Sequence, residues 1–477
     1  MSDLIIYNAR LVDENTDSFG AILVTNGKIL AVCKSDFCTE ESAVQLANGI
    51  FSPSKEPVEL IDAKGLVLAP AFIDLHVHLR YPGQTQKEDL HSGLRATAAG
   101  GFGTVVAMPN TNPVVSSSEL ALQIEREADK IGLTKVFQSV SLTKDFGGTD
   151  TSHLNDIQKE TIPVITEDGH DVLSSSVMLD AMTIAGKKGI VVSCHSEAPT
   201  LAEKARPYRV AALEIMKKYG LSAWGTSEDD LSKIPEEELQ KIDDNLTQAN
   251  RLLAAAEDSA TYRNIELAKI ADCHVHIAHC STKKSIEAVR AAKKEAEEFL
   301  MAKNPAYAHF SVTCEVTPHH LALAGTEEPL IRALVNPPLR SEEDRLSLIE
   351  ALRDGTADVI STDHAPHTAE DKAAGSPGFT GSETAFAVCN TVLVKENGFT
   401  MSQLSRLMSA NPARILGLKK GLLEPGYDAD LVLIDPNKRW TVNGADFKSK
   451  GKATPFEGKT LTGKVEALFL TGKIVNL

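Results

Sequence analysis

The stretch LVLAPAFIDLHVHLR, residues 66–80, is largely apolar and ends in two histidines that stand two positions apart. A short apolar run of this kind is typical of a strand that is buried on both faces of a parallel sheet. His76 and His78 lie at its end, and side chains two residues apart on an extended chain point to the same side. The stretch therefore predicts a buried strand that presents a histidine pair at its carboxyl end.

Seven further short apolar runs follow this strand, separated by stretches with helical periodicity such as residues 116–132 and 174–189. The runs are GTVVAMP (103–109), KVFQSV (135–140), IPVIT (162–166), GIVVSC (189–194), CHVHIAH (273–279), FSVTCEVT (310–317) and ADVISTD (357–363). Eight buried strands that alternate with helices predict an α/β fold, a (β/α)8 TIM-like barrel. A doubly wound sheet is the alternative, although no G-x-G-x-x-G follows an early strand.

Both ends of the chain alternate β-rich runs with turns, as in LIIYNARLV near the start and ALFLTGKIV near the end. We expect a small β-sandwich domain formed from residues 1–66 and 420–477, with the barrel occupying residues 67–419. Residues 200–262 break the strand and helix rhythm with a long charged helical run. We interpret them as a helical insertion outside the barrel.

The composition excludes several classes of function. The formal net charge is −16, from 65 acidic and 49 basic residues, which disfavours nucleic acid and anionic membrane as partners. No uninterrupted apolar stretch approaches the about 18 residues of a spanning helix, and the start lacks the pattern of a signal peptide. Seven scattered cysteines without a C-x-x-C pair are typical of a reducing compartment. We expect a cytoplasmic protein that acts on a small molecule.

Side chains that bind metals recur at the ends of the predicted strands. They are His76 and His78 on the first strand, Asp168 after the fourth, His195 on the fifth, His279 on the sixth and Asp363 on the eighth. A single histidine at a strand end is more often a structural residue, but barrel strands all end at one mouth. Four histidines and two aspartates there favour zinc or a similar divalent ion, with enough ligands for one or two ions.

Four other histidines have simpler interpretations. His274 and His276 lie upstream of His279 in the same strand, where packing or support of a metal ligand is expected. His319 and His320 follow the seventh strand in TPHHL, and they either line the site or serve a structural role. None of the four is predicted to bind the metal.

Motifs along nearly the whole chain carry a family resemblance. They are DLHVHLR (74–80), PGQTQKED (82–89), GGFGTVVAMPNTNP (100–113), HIAHCST (276–282), CEVTPHHL (314–321), NPPLR (336–340), STDHAPH (361–367), NPARILGL (411–418) and GYDADLVLIDP (426–436). In order and spacing, the chain resembles the dihydroorotases of the cyclic amidohydrolase group. Several of these motifs are shared with hydantoinases, dihydropyrimidinases and allantoinases. HLR, MPNTNP and NPPLR are the motifs that distinguish the dihydroorotases.

The resemblance implies a role for each metal-capable residue. His76, His78 and Asp363 would hold one ion, and His195 and His279 the other. Asp168 would bridge the two ions, where hydantoinases instead place a carboxylated lysine; IPVITEDGH (162–170) carries no lysine. Asp363 would also be the catalytic residue that accepts and returns a proton.

The resemblance also implies the contacts with the substrate. Arg80, Asn110 and His367 would bind a substrate carboxylate, and Asn336 would contact the pyrimidine ring. An arginine suits this role because its planar fork of donors fits a carboxylate. Each of these residues has a structural alternative, such as a loop ion pair for Arg80 or a turn for Asn110.

The implied reaction is the zinc-dependent, reversible cyclisation of N-carbamoyl-L-aspartate to L-dihydroorotate in pyrimidine biosynthesis. The first alternative is another cyclic amidohydrolase, acting on hydantoins, dihydropyrimidines or allantoin, for which a carboxylate clamp has no purpose. The second is a barrel without catalysis that supports another enzyme, which predicts missing metal ligands. The resemblance implies a homodimer, and association with another enzyme of the pyrimidine pathway stays open.

Overall fold

The computed structural model describes residues 3–34, 39–50, 58–220, 232, 234–325 and 334–476. The strands are β1 (Leu4–Val12), β2 (Asp17–Thr25), β3 (Lys28–Lys34), β4 (Glu59–Asp62), β5 (Val67–Pro70), β6 (Phe72–Val77), β7 (Phe102–Ala107), β8 (Lys135–Gln138), β9 (Val140–Ser141), β10 (Val164–Thr166), β11 (Val191–Cys194), β12 (His274–Ile277), β13 (Ser311–Val316), β14 (Val359–Ile360), β15 (Leu431–Thr441), β16 (Thr460–Leu470) and β17 (Lys473–Ile474). The α-helices are α1 (Glu40–Ile50), α2 (Leu90–Ala99), α3 (Ser118–Ile131), α4 (Ser175–Lys188), α5 (Pro199–Lys218), α6 (Glu236–Ala271), α7 (Lys283–Met301), α8 (Pro318–Ala322), α9 (Glu342–Asp354), α10 (Ala369–Ala373), α11 (Ala385–Cys389), α12 (Met401–Ser405) and α13 (Asn411–Leu416).

Parallel strands β6 to β14 form the barrel. β6, β7 and β8 pair in order, and β9 to β14 pair in order, with only Ser139 between β8 and β9. A parallel bridge between Val77 and His364 joins the first strand to the segment that follows the last. Each of the eight predicted runs contributes to this ring, because continuously apolar strands can be covered on both faces. The predicted (β/α)8 barrel is confirmed.

Helices α5 and α6 together connect β11 to β12, where residues 200–262 were predicted to depart from the rhythm. α6 is 36 residues long, and it packs against α5, α4 and α7. Leu253, Ala260 and Ile265 are among its buried side chains, so its second half covers the barrel as an ordinary crossover helix does. α5 is the element that stands outside the regular pattern. Residues 221–231 of the predicted insertion lie outside the described residues.

Strands from both chain ends form a second sheet, in the order β17-β16-β15-β5-β1-β2-β3, with β4 beside β1. β5 joins the two ends, because it pairs with β1 on one side and with β15 on the other. Asn26 and Gly27 connect β2 to β3 with φ values of 48° and 74°. Two residues with positive φ are what a tight hairpin turn requires. The predicted small β-domain made from both ends is confirmed.

The first predicted strand is two strands in the structure. Val67–Pro70 belongs to the sheet, and Phe72–Val77 belongs to the barrel. The chain changes partner at Ala71, whose N–H donates to the carbonyl of Asp430. The sheet therefore includes four residues that the predicted boundary after residue 66 assigned to the barrel. The division of the chain into domains stays a prediction.

Aromatic side chains pack around the start of the barrel strands β6 and β7. The ring of Phe72 lies 5.7 Å from that of Phe102 in an edge arrangement and 5.7 Å from that of Phe386 in a stacked one. Phe72 and Phe102 are fully buried, and such pairs contribute about 0.5–1.5 kcal/mol beyond the area they bury. Within the ranges given above, the structure contains no helix with the length and hydropathy needed to cross a membrane.

Candidate metal centre

The carboxyl ends of the barrel strands bring all six predicted metal ligands together. His76 Nε2 lies 3.2 Å from Asp168 Oδ1 and 3.6 Å from Asp363 Oδ1. His78 Nε2 lies 3.2 Å from Asp363 Oδ1 and 3.4 Å from Asp168 Oδ2. The other two histidines, His195 and His279, also lie close to Asp168. All six residues are buried.

Asp168 lies between two groups of histidines. His76 and His78 form one group with it, and His195 and His279 form the other. The distances from Asp168 Oδ1 to His195 Nδ1 and to His279 Nε2 are 3.6 and 3.9 Å. His195 Nδ1 and His279 Nε2 are themselves 2.9 Å apart. One carboxylate therefore faces two sets of imidazoles.

The hydrogen bonds of His76 and His78 direct their Nε2 atoms into this cluster. His76 Nδ1 donates to Glu315 Oε1 at 2.8 Å, and His78 Nδ1 donates to Asn110 Oδ1 at 3.0 Å. The acceptors fix both tautomers, since a carboxylate or an amide oxygen only accepts. Each ring consequently presents a lone pair at Nε2 to the oxygens of Asp168 and Asp363.

A cation fits this arrangement. His76 Nε2 is buried and, among the described residues, has no hydrogen-bond partner. Lone pairs of two imidazoles and oxygens of two carboxylates converge on one space, which is unfavourable unless a positive charge lies between them. Imidazole and carboxylate together suit zinc and similar divalent ions.

The surrounding histidines keep both aspartates ionised. Burial raises the pKa of Asp168, but His76, His195 and His279 outweigh burial and hold that pKa well below its usual value. For Asp363 burial acts in the same direction, and the nearby imidazoles of His78 and His76 lower the pKa far below its usual value. Both carboxylates are thus negatively charged in the neutral range.

Glu315 on β13 holds residues of the cluster in place through hydrogen bonds. It was not among the predicted site residues. Its carboxylate is fully buried and accepts from His76 Nδ1, from the backbone N–H of His279 at 3.2 Å and from His276 Nε2 at 3.2 Å. One side chain therefore joins three strands. The available signal was a charged residue inside the apolar run FSVTCEVT, because a buried charge needs partners.

The other histidines near the site have different partners. His274 Nε2 and His276 Nδ1 each lie 2.8 Å from Thr313 Oγ1, so His276 links Thr313 to Glu315. His320 lies 2.8 Å from Thr317 Oγ1 and donates from Nε2 to the carbonyl of Pro337 at 3.1 Å. These are structural contacts. The ring of His319 packs edge-on against Phe379 with centroids 5.4 Å apart.

A cavity of about 240 Å³ opens above the cluster and contains all four predicted substrate residues in its lining. Arg80, Asn110, Asn336 and His367 line it, together with His78, Asp168, His195, His279, Asp363 and the segment from Ser376 to Gly378. Asn110 also donates from Nδ2 to Asp168 Oδ2 at 3.2 Å. It therefore touches both a candidate metal ligand and the space for a substrate.

Arg80 and His367 form a buried pair at the cavity wall. Arg80 Nε donates to the carbonyl of Pro366 at 3.2 Å, and Arg80 Nη2 donates to His367 Nε2 at 3.2 Å. Burial lowers the pKa of Arg80 to about 10, so its guanidinium stays charged at neutral pH. Burial and the charge of Arg80 lower the pKa of His367 to about 3. The pair carries one positive charge.

Asn336 is held between two charged side chains. Its Nδ2 donates to Glu197 Oε2 at 3.1 Å, and its Oδ1 accepts from Arg209 Nη1 at 3.1 Å. Neither Glu197 nor Arg209 was predicted as a site residue. Glu197 stands two positions after His195, whereas Arg209 lies on α5, where no strand register could have indicated it.

Three residues of the site have a strained backbone. Arg80, His279 and Asp363 have φ values of 55°, 32° and 48°, which L-residues rarely adopt. Conformations of this kind cost about 1–3 kcal/mol each and persist where the surrounding structure fixes them. Glu315 supplies part of that restraint through the N–H of His279.

Comparison with known proteins identifies the family. The model of the amidohydrolase family matches residues 67–475 of the chain. The chain therefore belongs to the amidohydrolase family, which is metal-dependent.

Curated relatives refine this assignment. A dihydroorotase from Clostridium botulinum (strain Eklund 17B / Type B) is 37% identical, with 99% of each chain covered. A dihydroorotase from Aquifex aeolicus (strain VF5) is 35% identical over 100% of this chain and 99% of the relative. Within the amidohydrolases the chain is a member of the dihydroorotases, and it is a hydrolase of cyclic amides.

Solved structures share the fold. An L-hydantoinase (dihydropyrimidinase) from Arthrobacter aurescens superposes with a TM-score of 0.78 at 22% identity, over 100% of this chain and 96% of that one. A D-hydantoinase superposes with a TM-score of 0.74 at 20% identity, over 99% and 95%. At these identities the likeness concerns the barrel and its sheet domain alone.

Proposed function

We propose that this chain is a zinc-dependent dihydroorotase that interconverts L-dihydroorotate and N-carbamoyl-L-aspartate in pyrimidine biosynthesis. The observation that carries the proposal is the charge of Arg80. Its guanidinium is buried in the cavity wall, and no carboxylate of the described ranges lies within ion-pair distance of it; Asp363 and Asp168 act on its charge only from further away. A buried cation without an anion in direct contact is costly. A substrate carboxylate would complete the pair.

We assign His76, His78 and Asp363 to one metal ion and His195 and His279 to a second, with Asp168 shared. The convergence of lone pairs and carboxylate oxygens supports this assignment. When bound, zinc supplies Lewis-acid chemistry, since it polarises a carbonyl and makes water acidic enough to serve as a nucleophile near neutral pH.

Asp363 moves the proton in the proposed mechanism. Its carboxylate is ionised at neutral pH and therefore has a lone pair that can accept a proton from the attacking water. As the ring C–N bond breaks, Asp363 returns this proton to the leaving nitrogen. In the direction of ring closure, the same carboxylate takes a proton from the ureido nitrogen as the C–N bond forms, and it returns this proton to the oxygen that leaves the substrate carboxyl group as water.

The cavity wall orients the substrate. Arg80, Asn110 and His367 bind the substrate carboxylate. Asn336 contacts the ring. Charge-assisted hydrogen bonds from a guanidinium are short and directional, so they fix the ring over the metal cluster. Holding the reacting carbonyl in one place supplies the entropic part of the rate enhancement.

Two other functions explain the site less well. An amidohydrolase of uncharged rings, such as hydantoins or dihydropyrimidines, would use the same metal cluster but gives no reason for the buried charge of Arg80. A barrel without catalysis, serving only as a partner of another enzyme, predicts missing metal ligands. All six predicted ligands are present and meet at one place.

Turnover of L-dihydroorotate, dihydrouracil and hydantoin by the purified protein tests the proposal. We expect hydrolysis of L-dihydroorotate alone. Arg80→Ala should lower kcat/KM at least about 30-fold, since removing one member of a buried charge pair costs about 2–5 kcal/mol. Arg126→Ala, on the exposed face of α3, is the matched control. Turnover of only the uncharged rings would exclude the dihydroorotase reaction.

Three further expectations stay predictions. They are a homodimer, a cytoplasmic location and an association with another enzyme of the pyrimidine pathway. Size-exclusion chromatography with light scattering tests the first, because the calculated mass of one chain is 51.3 kDa.

A further inference from the structure

Helix α5 reaches the substrate cavity although it lies outside the regular barrel pattern. Arg209 of α5 donates to Asn336 Oδ1, and Asn336 lines the cavity. Leu213, one turn further along, packs against Gly375, where an added Cβ would lie 2.6 Å from Leu213 Cδ1. Gly375 begins the segment that continues into the cavity lining at Ser376. The helix therefore supports two parts of one cavity wall.

Lys372 ties the same two parts together. Its Nζ donates to the carbonyl of Ser376 at 2.6 Å and to the carbonyl of Gly378 at 2.8 Å. The N–H of Gly378 donates to the carbonyl of Leu334, two residues before Asn336. The wall is consequently one connected unit, and Arg209 is the charged contact that joins it to α5.

Chemistry alone fixes the orientation of the Asn336 carboxamide. A guanidinium only donates, so the atom that faces Arg209 must be the amide oxygen. A carboxylate only accepts, so the atom that faces Glu197 must be the amide nitrogen. The amide retains one N–H and one oxygen lone pair for a ligand. A cyclic amide, with its own N–H beside a carbonyl, is the complement of that pair.

We propose that Arg209 is a positioning residue. Together with Glu197 it holds the carboxamide of Asn336 in the orientation that forms hydrogen bonds with the cyclic amide of the substrate. Helix α5, which belongs to the helical insertion, thereby contributes to the substrate specificity of the cavity. This inference rests on the proposed function of Asn336 as a substrate contact. It extends that function to a helix that contributes no metal ligand.

Arg209 also balances charge beside an anionic substrate. Glu197 approaches His195, with Oε1 3.9 Å from Nε2, and so brings a carboxylate to the edge of the cluster. Without Arg209, Glu197 would repel a substrate carboxylate more strongly, and the freed amide of Asn336 could rotate. Both effects act on the bound substrate and the transition state alike, so they change KM more than kcat.

Steady-state hydrolysis of L-dihydroorotate by the zinc-loaded full chain tests the proposal. For Arg209→Met we expect KM to rise about tenfold with kcat within about twofold of wild type. Arg209→Lys keeps a charged donor and should recover most of the change. Arg206→Met, on the exposed side of the same helix, is the matched control. Unfolding temperature and zinc content establish that each variant is folded and loaded.

A double-mutant cycle with Asn336→Ala separates positioning from a general loss of structure. If Arg209 acts mainly through Asn336, then Arg209→Met raises KM much less when Asn336 is already alanine, because only the charge effect beside Glu197 is left. An equal rise in both backgrounds would overturn the proposal, and so would a KM for Arg209→Met as low as that of Arg206→Met. If the wild type hydrolyses only uncharged rings, the dihydroorotase assignment fails. A double-mutant cycle measured with the uncharged ring as substrate would still test whether Arg209 positions Asn336.

Discussion

Replacing Glu315 with glutamine tests how the protein tunes its proposed metal ligands. The change keeps the shape of the side chain, and Oε1 can still accept from His76 Nδ1, now 2.8 Å away. The new amide N–H faces His276 Nε2, which accepts it by changing tautomer. What is lost is the negative charge behind the imidazole of His76.

The size of the effect follows from that one hydrogen bond. A bond to a charged partner contributes about 1.5–3 kcal/mol, against about 0.5–1.5 kcal/mol for a neutral one. The difference, about 1–1.5 kcal/mol, corresponds to about tenfold in a binding constant. Substitutions behind a metal-bound histidine commonly weaken binding about 10–100-fold. We therefore expect zinc to bind Glu315→Gln at least about tenfold more weakly.

Competition with a chromogenic chelator measures this affinity on metal-free protein that is titrated with zinc. Glu125→Gln is the matched control, because Glu125 is another buried carboxylate but accepts from the N–H of Gln138, away from the cluster. A zinc affinity within twofold of wild type, in a variant with normal circular dichroism and unfolding temperature, would refute the reasoning.

Two further predictions concern the whole protein. Removing zinc with a chelator should lower the unfolding temperature and abolish hydrolysis, and added zinc should restore both, because a ligand that binds only the folded state stabilises it; an unchanged unfolding temperature would contradict the assigned ligands. Burial raises the pKa of Glu125 to about 7, against 4.5 for the free side chain, so the stability that its protonated form provides is lost as the pH rises through 7. Urea unfolding between pH 5 and 8 measures the free energy of unfolding of both proteins. That of the wild type should fall with rising pH relative to that of Glu125→Gln, and a difference that stays constant with pH would contradict this.

The barrel and its six candidate ligands could be predicted because they depend on local sequence. Apolar runs of four to eight residues mark buried strands, and a polar residue directly after such a run must lie at the mouth. His195 and Asp363 follow this rule. The break at Ala71 could not be predicted, because it depends on a hydrogen bond to Asp430, more than 350 residues away in the chain.

The residues that support the site, Glu315 and Arg209, could not be predicted in this way. Glu315 has a signal in its own strand, a charge among apolar neighbours, but its partners on β6 and β12 depend on the closure of the barrel. Arg209 has no such signal, since an exposed helix with many charges offers two arginines, Arg206 and Arg209, that the sequence does not distinguish. Only the packing of α5 on the wall of the cavity distinguishes Arg209 from Arg206.

The short interval between β5 and β6 has a consequence for protein engineering. Residues 67–70 are a central strand of the terminal sheet, and the next strand, Phe72–Val77, already carries His76. A deletion that trims the sheet to obtain a minimal barrel would remove the anchor of the strand that holds the histidine pair. Fusion partners and truncations therefore have to leave this junction intact, and shortened versions are better sought among the helices on the outside of the barrel.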